Sequence, residues 1–526
     1  MLTVYKNENI ITHKYGGCAA ARDPYSFAAA MAQRNGDAFM GNKKNILLIT
    51  ADQWRGDCIG SLYDSHPVMT PHMNQLAAEG VAFTNAYADC PVCMPQRASI
   101  LTGKSASRLG YTKNGMGSTP VDPKTSLPAL LAREAGYQTK AIGKMHFDPD
   151  RARLGFEHIT LHPDDYIMFL EENGYLGQYR GHGLGGNEVY PAVSDMPQKY
   201  YHTNWIVDQS IRFLYQRDPN NPFFLWMIFE APHSPFDPPR PYDRMYDNFE
   251  IDSPVVGSWE ANDNPVDYQD RIVSQKYDEI RPQVNKELRR KYYGQISNID
   301  YQLGLLFGEL KKRKLYDDTL IIFTSDHGEM LGDHGLFGKS CYLRGSADVP
   351  LIIKPAAGIP IKGLSRPNNA PALTLDIFPT ILQTAGLEIP DGIDGISLYE
   401  LADRKDAGRV ICGEYGDGMG TAFAFDGRYK YIYYARGGKE QLFDRENDPY
   451  DCQNLAESPD LIPTKRFLRE RLVAYLAENR RPMVSDGSLV SVNQTKNDEE
   501  LRRSNNCGLR GPLHFGQGYG GLAGCK

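Results

Sequence analysis

Four short apolar runs recur along the chain, and each stops at polar residues on its C-terminal side. Asn45-Ile-Leu-Leu-Ile-Thr-Ala51 stops at Asp52-Gln53, and Thr139-Lys-Ala-Ile-Gly143 at Lys144-Met-His146. Phe223-Phe-Leu-Trp-Met-Ile-Phe229 runs on to Pro232-His233, and Thr319-Leu-Ile-Ile-Phe-Thr-Ser325 stops at Asp326-His327. Runs this short, apolar without alternation, predict strands buried on both faces, the pattern of a mainly parallel sheet. Helical periodicity lies between them, over Met73–Glu79, Ser126–Ala135, Thr203–Tyr215 and Glu287–Lys312. Gly80 and Gly136 follow two of these segments as C-caps would. Alternation of strand and helix predicts an α/β sandwich, and in such sheets sites form beyond the carboxyl ends of the strands. Lys144 and His146, two apart on an extended segment, should point to the same side.

After about Arg404 the texture changes. Thr421-Ala-Phe-Ala-Phe-Asp-Gly-Arg-Tyr-Lys-Tyr-Ile-Tyr-Tyr434 predicts two alternating strands around an Asp-Gly turn, followed by Gln441-Leu-Phe-Asp444 and a helix over Pro463–Ala477. The expected organisation is an N-terminal extension, 1–42, a large α/β domain, 43–404, which carries the four strand ends, a small α+β unit with an antiparallel sheet, 405–484, and a polar, then Gly-rich tail, 485–526. Two cores suit 526 residues, and no internal repeat is visible. The tail is expected to be loosely ordered or to lie along a second copy in a homo-oligomer.

Composition removes several classes of function. The 58 basic and 65 acidic residues give a net charge of −7 without a basic stripe, which argues against a nucleic-acid partner. No apolar run approaches a membrane span, the longest being Phe223–Phe229. The first forty residues lack the basic start, apolar core and small-residue cleavage site of a secretory signal. Nine cysteines, an odd number without a framework, suit reduced thiols, so a cytoplasmic location is expected.

The most specific stretch is Cys90-Pro-Val-Cys93-Met-Pro95-Gln-Arg97-Ala-Ser-Ile-Leu-Thr-Gly103. Pro95 fits the first turn of a helix, so Cys93 falls at a helix N-terminus, where free N–H groups and the dipole favour an anion and Arg97 adds a cation one turn on. The CxxC spacing alone also allows a redox pair or half of a zinc site, but the other cysteines are scattered singly and a Pro-rich loop precedes this pair. Asp52 and Asp326 offer hard carboxylate oxygens, Gln53 an amide oxygen and His327 a nitrogen, a donor set for one octahedral divalent ion. Taken singly, Asp52 is more often a strand-end cap and Asp326-His327-Gly328 an ordinary turn; together, at the ends of two buried strands with the Cys93 stretch between them, they point to metal.

Cys93-x-Pro95-x-Arg97 followed by Leu101-Thr-Gly103 resembles the signature of the type I sulfatases, a branch of the alkaline phosphatase superfamily that includes the phosphonate monoester hydrolases. The resemblance implies an alkaline phosphatase-like sandwich and a Cys93 converted to formylglycine by a formylglycine-generating enzyme, with the aldehyde hydrate attacking sulfur. It implies further that Asp52, Gln53, Asp326 and His327 hold the ion, with the group at position 93 as another ligand. Many sulfatases carry Asp and Asn in place of Gln53 and His327, so Ca²⁺ and Mn²⁺ both stay open. By the same resemblance, Arg97 helps neutralise the transition state. Lys144 in Gly-Lys-x-His binds a hydrate hydroxyl and a sulfate oxygen, and His146 takes a proton. His233 and Lys339 grip the sulfuryl oxygens and support the leaving group. Asn114 is either a substrate contact or an Asn-Gly turn residue. Leu442-Phe-Asp444 and Asn447-Asp-Pro449 match the family's small C-terminal domain.

The leading expectation is therefore a sulfatase acting on a small-molecule sulfate ester. Asp52-Gln53, Asp326-His327 and Asn114 also suit a phosphonate monoester hydrolase or phosphodiesterase of the superfamily, although those relatives tend to carry Tyr and Thr at the positions of Lys144 and His146. From another class, a noncatalytic binding protein would keep the fold with Cys93 as a thiol. Residues 147–200 and 242–289, where the resemblance weakens, should build the pocket walls.

Overall fold

The computed structural model describes residues 43–63, 66–175, 177, 179–261, 263–275, 277–361, 367–403 and 408–492. The expected N-terminal extension and residues 493–526 of the expected tail lie outside the described residues. In chain order the first ten strands are β1 (Asn45–Asp52), β2 (Val81–Phe83), β3 (Ala86–Tyr87), β4 (Gln138–Gly143), β5 (His158–Leu161), β6 (Phe223–Pro232), β7 (Thr319–Ser325), β8 (Leu351–Lys354), β9 (Pro367–Asn368) and β10 (Ala372–Leu373). Eight of them form one sheet in the order β5-β4-β6-β1-β7-β8-β2-β9, while β3 and β10 pair separately. The four apolar runs are thus adjacent, β4-β6-β1-β7, and mutually parallel. Only β8 runs against its neighbours β7 and β2.

Successive residues of these strands feed two different cores, which is why the runs read as continuously apolar. Ile46, Leu48, Phe224, Trp226, Leu320 and Ile322 pack on one face with Leu127, Leu131 and Ile381. Leu47, Ile49, Leu225, Met227, Ile321 and Phe323 pack on the other against Leu288, Ile296 and Leu303 of the long helix Pro282–Lys312. Each such side chain stabilises the fold by roughly 1.5–3 kcal/mol through burial alone. The long helix starts a turn before the sequence expectation because Pro282 fits its first position. The other expected helices are found at Pro71–Glu79, Leu127–Ala135 and His202–Gln216.

The small C-terminal unit is an antiparallel sheet of β11 (Ile411–Tyr415), β12 (Thr421–Phe425), β13 (Tyr429–Tyr434) and β14 (Lys439–Asp444) in that order. Strand β11 is absent from the sequence expectation. One face is covered by Leu468, Leu472 and Leu476 of the helix Ile462–Glu478, spaced one turn apart. The other face presents Phe423, Phe425, Ile432 and Phe443 to Tyr87 and Tyr342 of the large domain, with the Tyr342 and Phe423 rings stacked at 4.3 Å. The first tail residues fold back here, Val484–Ser485 pairing with Ser488–Leu489 and Val492 N–H donating to the Ala435 carbonyl at 2.8 Å. Among the described residues no helix is long and apolar enough to cross a membrane, and the cysteines are unpaired.

Candidate active site

The carboxyl ends of the four central strands converge, and each delivers one part of a single polar cluster. At the end of β1 the register slips between Ala51 and Asp52, so that Asp52 faces Pro232 of β6, and Gln53 adopts φ +73°. A bulge of this kind re-aims a side chain out of the pleat. At the end of β7 the Asp326 carboxylate Oδ1 accepts N–H bonds from Gln53 at 3.2 Å and His327 at 3.0 Å, which ties the two strand ends together. Cys93 opens the helix Cys93–Thr102, as its sequence predicts, with Val92 at the N-cap and Gly103 closing it at φ +67°.

Arg97 organises the carboxylates. Its Nη2 donates to Oδ2 of Asp52 at 3.0 Å and of Asp326 at 2.8 Å, Nε donates to Asp326 Oδ2 at 2.9 Å, and Nη1 donates to the Lys144 carbonyl. Lys144 Nζ lies 2.6 Å from Asp52 Oδ2. Both Oδ2 atoms are thus committed to cations, while His327 Nε2 lies 3.5 Å from Asp52 Oδ1 and 3.6 Å from Asp326 Oδ1. His327 Nδ1 is 3.0 Å from the Gly328 carbonyl, which makes it the N–H donor there and turns Nε2 toward the carboxylates. Cys93 Sγ completes the group at 3.1 Å from His327 Nε2 and 3.8 Å from Asp52 Oδ1. Ligand atoms of Asp52, Cys93, Asp326 and His327 all fall within 4.8 Å of one another, and all four residues are buried. Two carboxylate oxygens, an imidazole nitrogen and the group at 93, each already oriented by other bonds, make a donor set that fits one divalent ion.

The field at this point is positive. Burial raises the Asp52 carboxyl, but the Lys144, Arg97 and Lys339 cations outweigh it and hold the group well below the usual carboxylate range. Burial and Asp52 push the Cys93 thiol up, yet Lys339, His327 and a hydrogen bond with His146 bring it well below an ordinary thiol. An atom carried at position 93 is therefore placed where negative charge is stabilised.

A second pair faces the first. Lys339 Nζ donates to Gln53 Oε1 and lies against His233 Nε2, both at 2.6 Å, while His233 Nδ1 is 2.8 Å from the Ser234 carbonyl. Burial, then Lys339 and Lys144, hold the His233 imidazole well below its ordinary pKa, so it stands neutral and accepts from the ammonium. The Gln53 amide is fixed from its other end by the buried carboxylate of Glu329.

Lys144 and His146 both reach the cluster, but the reason differs from simple alternation. Strand β4 ends at Gly143, and His146 sits at φ +55°, so a turn rather than an extended run aims the imidazole at Cys93, leaving its buried Nδ1 without a partner among the described residues. Asn114 is exposed, and its side-chain oxygen accepts the Met94 N–H at 3.1 Å, fastening the first turn of the Cys93 helix. Sequence reading missed Glu329, although it stands two residues beyond His327. It also missed Glu230, buried in β6 and held by Arg180 at 2.9 Å and Tyr179 at 2.8 Å.

Carboxylates, an imidazole and a nucleophile position under a ring of cations, at the carboxyl ends of a parallel sheet, define a hydrolase of oxyanion esters in the alkaline phosphatase-like class. A sequence profile of the Sulfatase family matches residues 44–387, and one for the C-terminal part of N-sulphoglucosamine sulphohydrolase matches 332–478. The chain belongs to the sulfatase family and is a sulfuric ester hydrolase. It is 34% identical over 474 residues to an arylsulfatase of Clostridium perfringens, covering 85% of this chain and 97% of that one. It is 30% identical over 505 residues to the multifunctional alkaline phosphatase superfamily protein PehA of Trinickia caryophylli, covering 82% and 95%. The phosphonate monoester hydrolase of Agrobacterium radiobacter superposes with a TM-score of 0.68 at 27% identity, covering 86% of this chain and 100% of that one.

Proposed function

We propose that this sulfatase works through a formylglycine made from Cys93 by a formylglycine-generating enzyme, together with one divalent cation, Ca²⁺ or Mn²⁺, held by Asp52, Gln53, Asp326 and His327. The observation that carries the reading is the convergence of donor atoms from Asp52, Cys93, Asp326 and His327 within 4.8 Å in a buried site. Cys93 Sγ stands in for the oxygens of the aldehyde hydrate. Bound there, the ion supplies Lewis-acid charge and the hydrate a nucleophilic oxygen with a second hydroxyl beside it.

The chain's own residues do the rest. A sulfate ester repels nucleophiles through its oxygens, so Arg97 and Lys144 neutralise the charge that builds during attack. Lys339 and His233 face the same space from the opposite side and take sulfuryl oxygens and the departing ester oxygen. A substrate oxygen accepting from Lys339 Nζ replaces the neutral His233 Nε2 as its acceptor. His146, turned toward position 93, removes the proton of the second hydroxyl when sulfate is expelled. Asn114 acts through the helix N-terminus that carries residue 93.

Mass analysis of the Cys93 peptide tests the maturation step, since conversion replaces CH₂SH by CHO, and elemental analysis identifies the ion. Turnover of an aryl sulfate against a phenyl phosphonate ester tests the chemistry. An unmodified Cys93 in protein from a host able to make formylglycine, with no turnover, would leave a binding protein. A second reading, phosphonate monoester hydrolysis, is favoured by the likeness to the Agrobacterium radiobacter enzyme, and dominance of the phosphonate ester would put it first.

A further inference from the structure

A cleft of about 550 Å³ opens beside Gln53, Ser234 and Lys339, large enough for a leaving group of one or two rings. Its lining carries four cations, Lys113, Arg271, Lys339 and Arg436, against one carboxylate, Asp267. That balance is notable in a chain whose net charge is −7. Lys339 is accounted for by Gln53 and His233. Arg436 is held by Asp267 at 2.7 Å and by Asp270.

Of the remaining two, Lys113 is exposed and Arg271 is half-buried. The arginine lies on the helix Val266–Ser274, four residues after Asp267, the spacing that ordinarily gives a helical ion pair. Asp267 has been taken by Arg436, which lies just beyond the end of β13, and among the described residues no carboxylate stands within ion-pair distance of Arg271. Its Nη2 instead donates to the Phe337 carbonyl, and a Cβ on Gly338, at φ +71°, would lie 3.4 Å from that nitrogen. The guanidinium therefore rests on the very loop that delivers Lys339 to the site. The fully buried Arg55, Arg97 and Arg289 are each matched by a carboxylate here, whereas the half-buried Arg271, among the described residues, meets a backbone carbonyl instead.

We propose that Arg271 is a specificity-determining residue that binds a second acidic group, a carboxylate or another sulfate, on the leaving-group portion of the sulfate ester. The inference rests on the sulfatase reading and names its substrate class: sulfate esters of acidic sugars or acidic phenols rather than of neutral alcohols. The planar fork suits either oxyanion through paired N–H donors. Tyr277 and Tyr415, which line the same cleft, supply apolar walls for a ring between the two anionic ends.

The test compares two matched pairs, each an acid and its neutral methyl ester: a carboxylated aryl sulfate, and a sulfated uronic-acid disaccharide. The acid-to-ester ratio of kcat/KM is measured in the mature enzyme, in Arg271→Gln and in Arg271→Lys. The unaltered enzyme should favour the acid by about tenfold to a hundredfold in at least one pair, the value of one charge-assisted contact. Arg271→Gln should bring that ratio to about one, and Arg271→Lys should keep part of it. A preference confined to the aryl pair identifies an acidic phenol, one confined to the disaccharide pair an acidic sugar. A ratio near one in the unaltered enzyme for both pairs, or a ratio that survives Arg271→Gln, overturns the proposal while leaving the sulfatase reading intact. Loss of turnover on every ester speaks against the sulfatase reading instead. In that event thermal stabilisation by the desulfated acid over its methyl ester, present in the unaltered protein and lost in Arg271→Gln, decides the anion site; its absence sinks it.

Discussion

Replacing Arg97 by methionine should expose how the carboxylate pair is held when the divalent ion is removed. One guanidinium nitrogen bridges Asp52 and Asp326 at 3.0 and 2.8 Å, and a second contacts Asp326 at 2.9 Å, all in a buried setting. Two unit charges about 4 Å apart interact by roughly 4 kcal/mol at an effective dielectric constant of 20. Breaking a buried pair by removing one partner typically costs about 3–5 kcal/mol. Lys144 stays on Asp52 at 2.6 Å, so most of the unrelieved charge falls on Asp326 and the loss stays within that range. Chemical denaturation in chelator should show it, and saturation with Mn²⁺ or Ca²⁺ should shrink it, because the ion takes over part of the neutralisation. The pH dependence has a defined sign. The Asp52 pKa is depressed in the folded state, so its contribution is present above the unfolded value near 4 and is lost as pH falls through the folded one. Without Arg97 the Asp52 carboxyl loses one of the cations that depress it and protonates more readily, so the deficit of the variant should shrink as pH falls. A loss below about 1 kcal/mol in chelator, the value of a surface pair, or an equal loss with and without the ion, would refute the reasoning.

Cys93→Ser should leave a hydroxyl able to attack once but no second hydroxyl to expel sulfate. One equivalent of alcohol, a protein heavier by one SO₃ group and a loss of steady-state turnover of at least about a thousandfold are expected by mass spectrometry and stopped-flow assay. Gly143→Ala should destabilise the fold by about 3 kcal/mol or more and impair turnover through Lys144, since a Cβ at φ +111° would stand 1.9 Å from the Ile228 carbonyl to which Lys144 N–H donates. Thermal unfolding with kcat/KM checks this, and a variant as stable as the parent would contradict it. Burial raises the Asp89 carboxyl to about 6 despite hydrogen bonds from Ala106 and Gln96. Because its folded pKa lies above the unfolded one, ionisation costs stability as pH rises from about 4 to 6, so Asp89→Asn should gain on the parent by on the order of 2–3 kcal/mol over that window in denaturation midpoints.

What the sequence discloses follows from which physics is local. Strands β1, β4, β6 and β7 could be read because both faces are buried, and their polar stops mark the sheet edge where Asp52, Lys144, His233 and Asp326 gather. Strand β11 could not, because its interior carries Glu414, a residue that reads as surface until Arg481 meets it at 2.6 Å from far along the chain. The turn at His146 is hidden for a related reason. Nothing in Gly-Lys-Met-His demands a positive φ, and only the closure of β4 against β6 leaves the imidazole no other route to Cys93. Arg271 carries the point furthest. Its helical neighbour four residues back, Asp267, would satisfy it in any local reading, and among the described residues it is left without that carboxylate because Arg436 takes Asp267 in the fold. Catalytic groups at strand ends are announced by the periodicity that surrounds them, whereas a specificity group is defined by which partner tertiary structure takes away. For that reason the substrate class is legible here in the fold and not in the sequence.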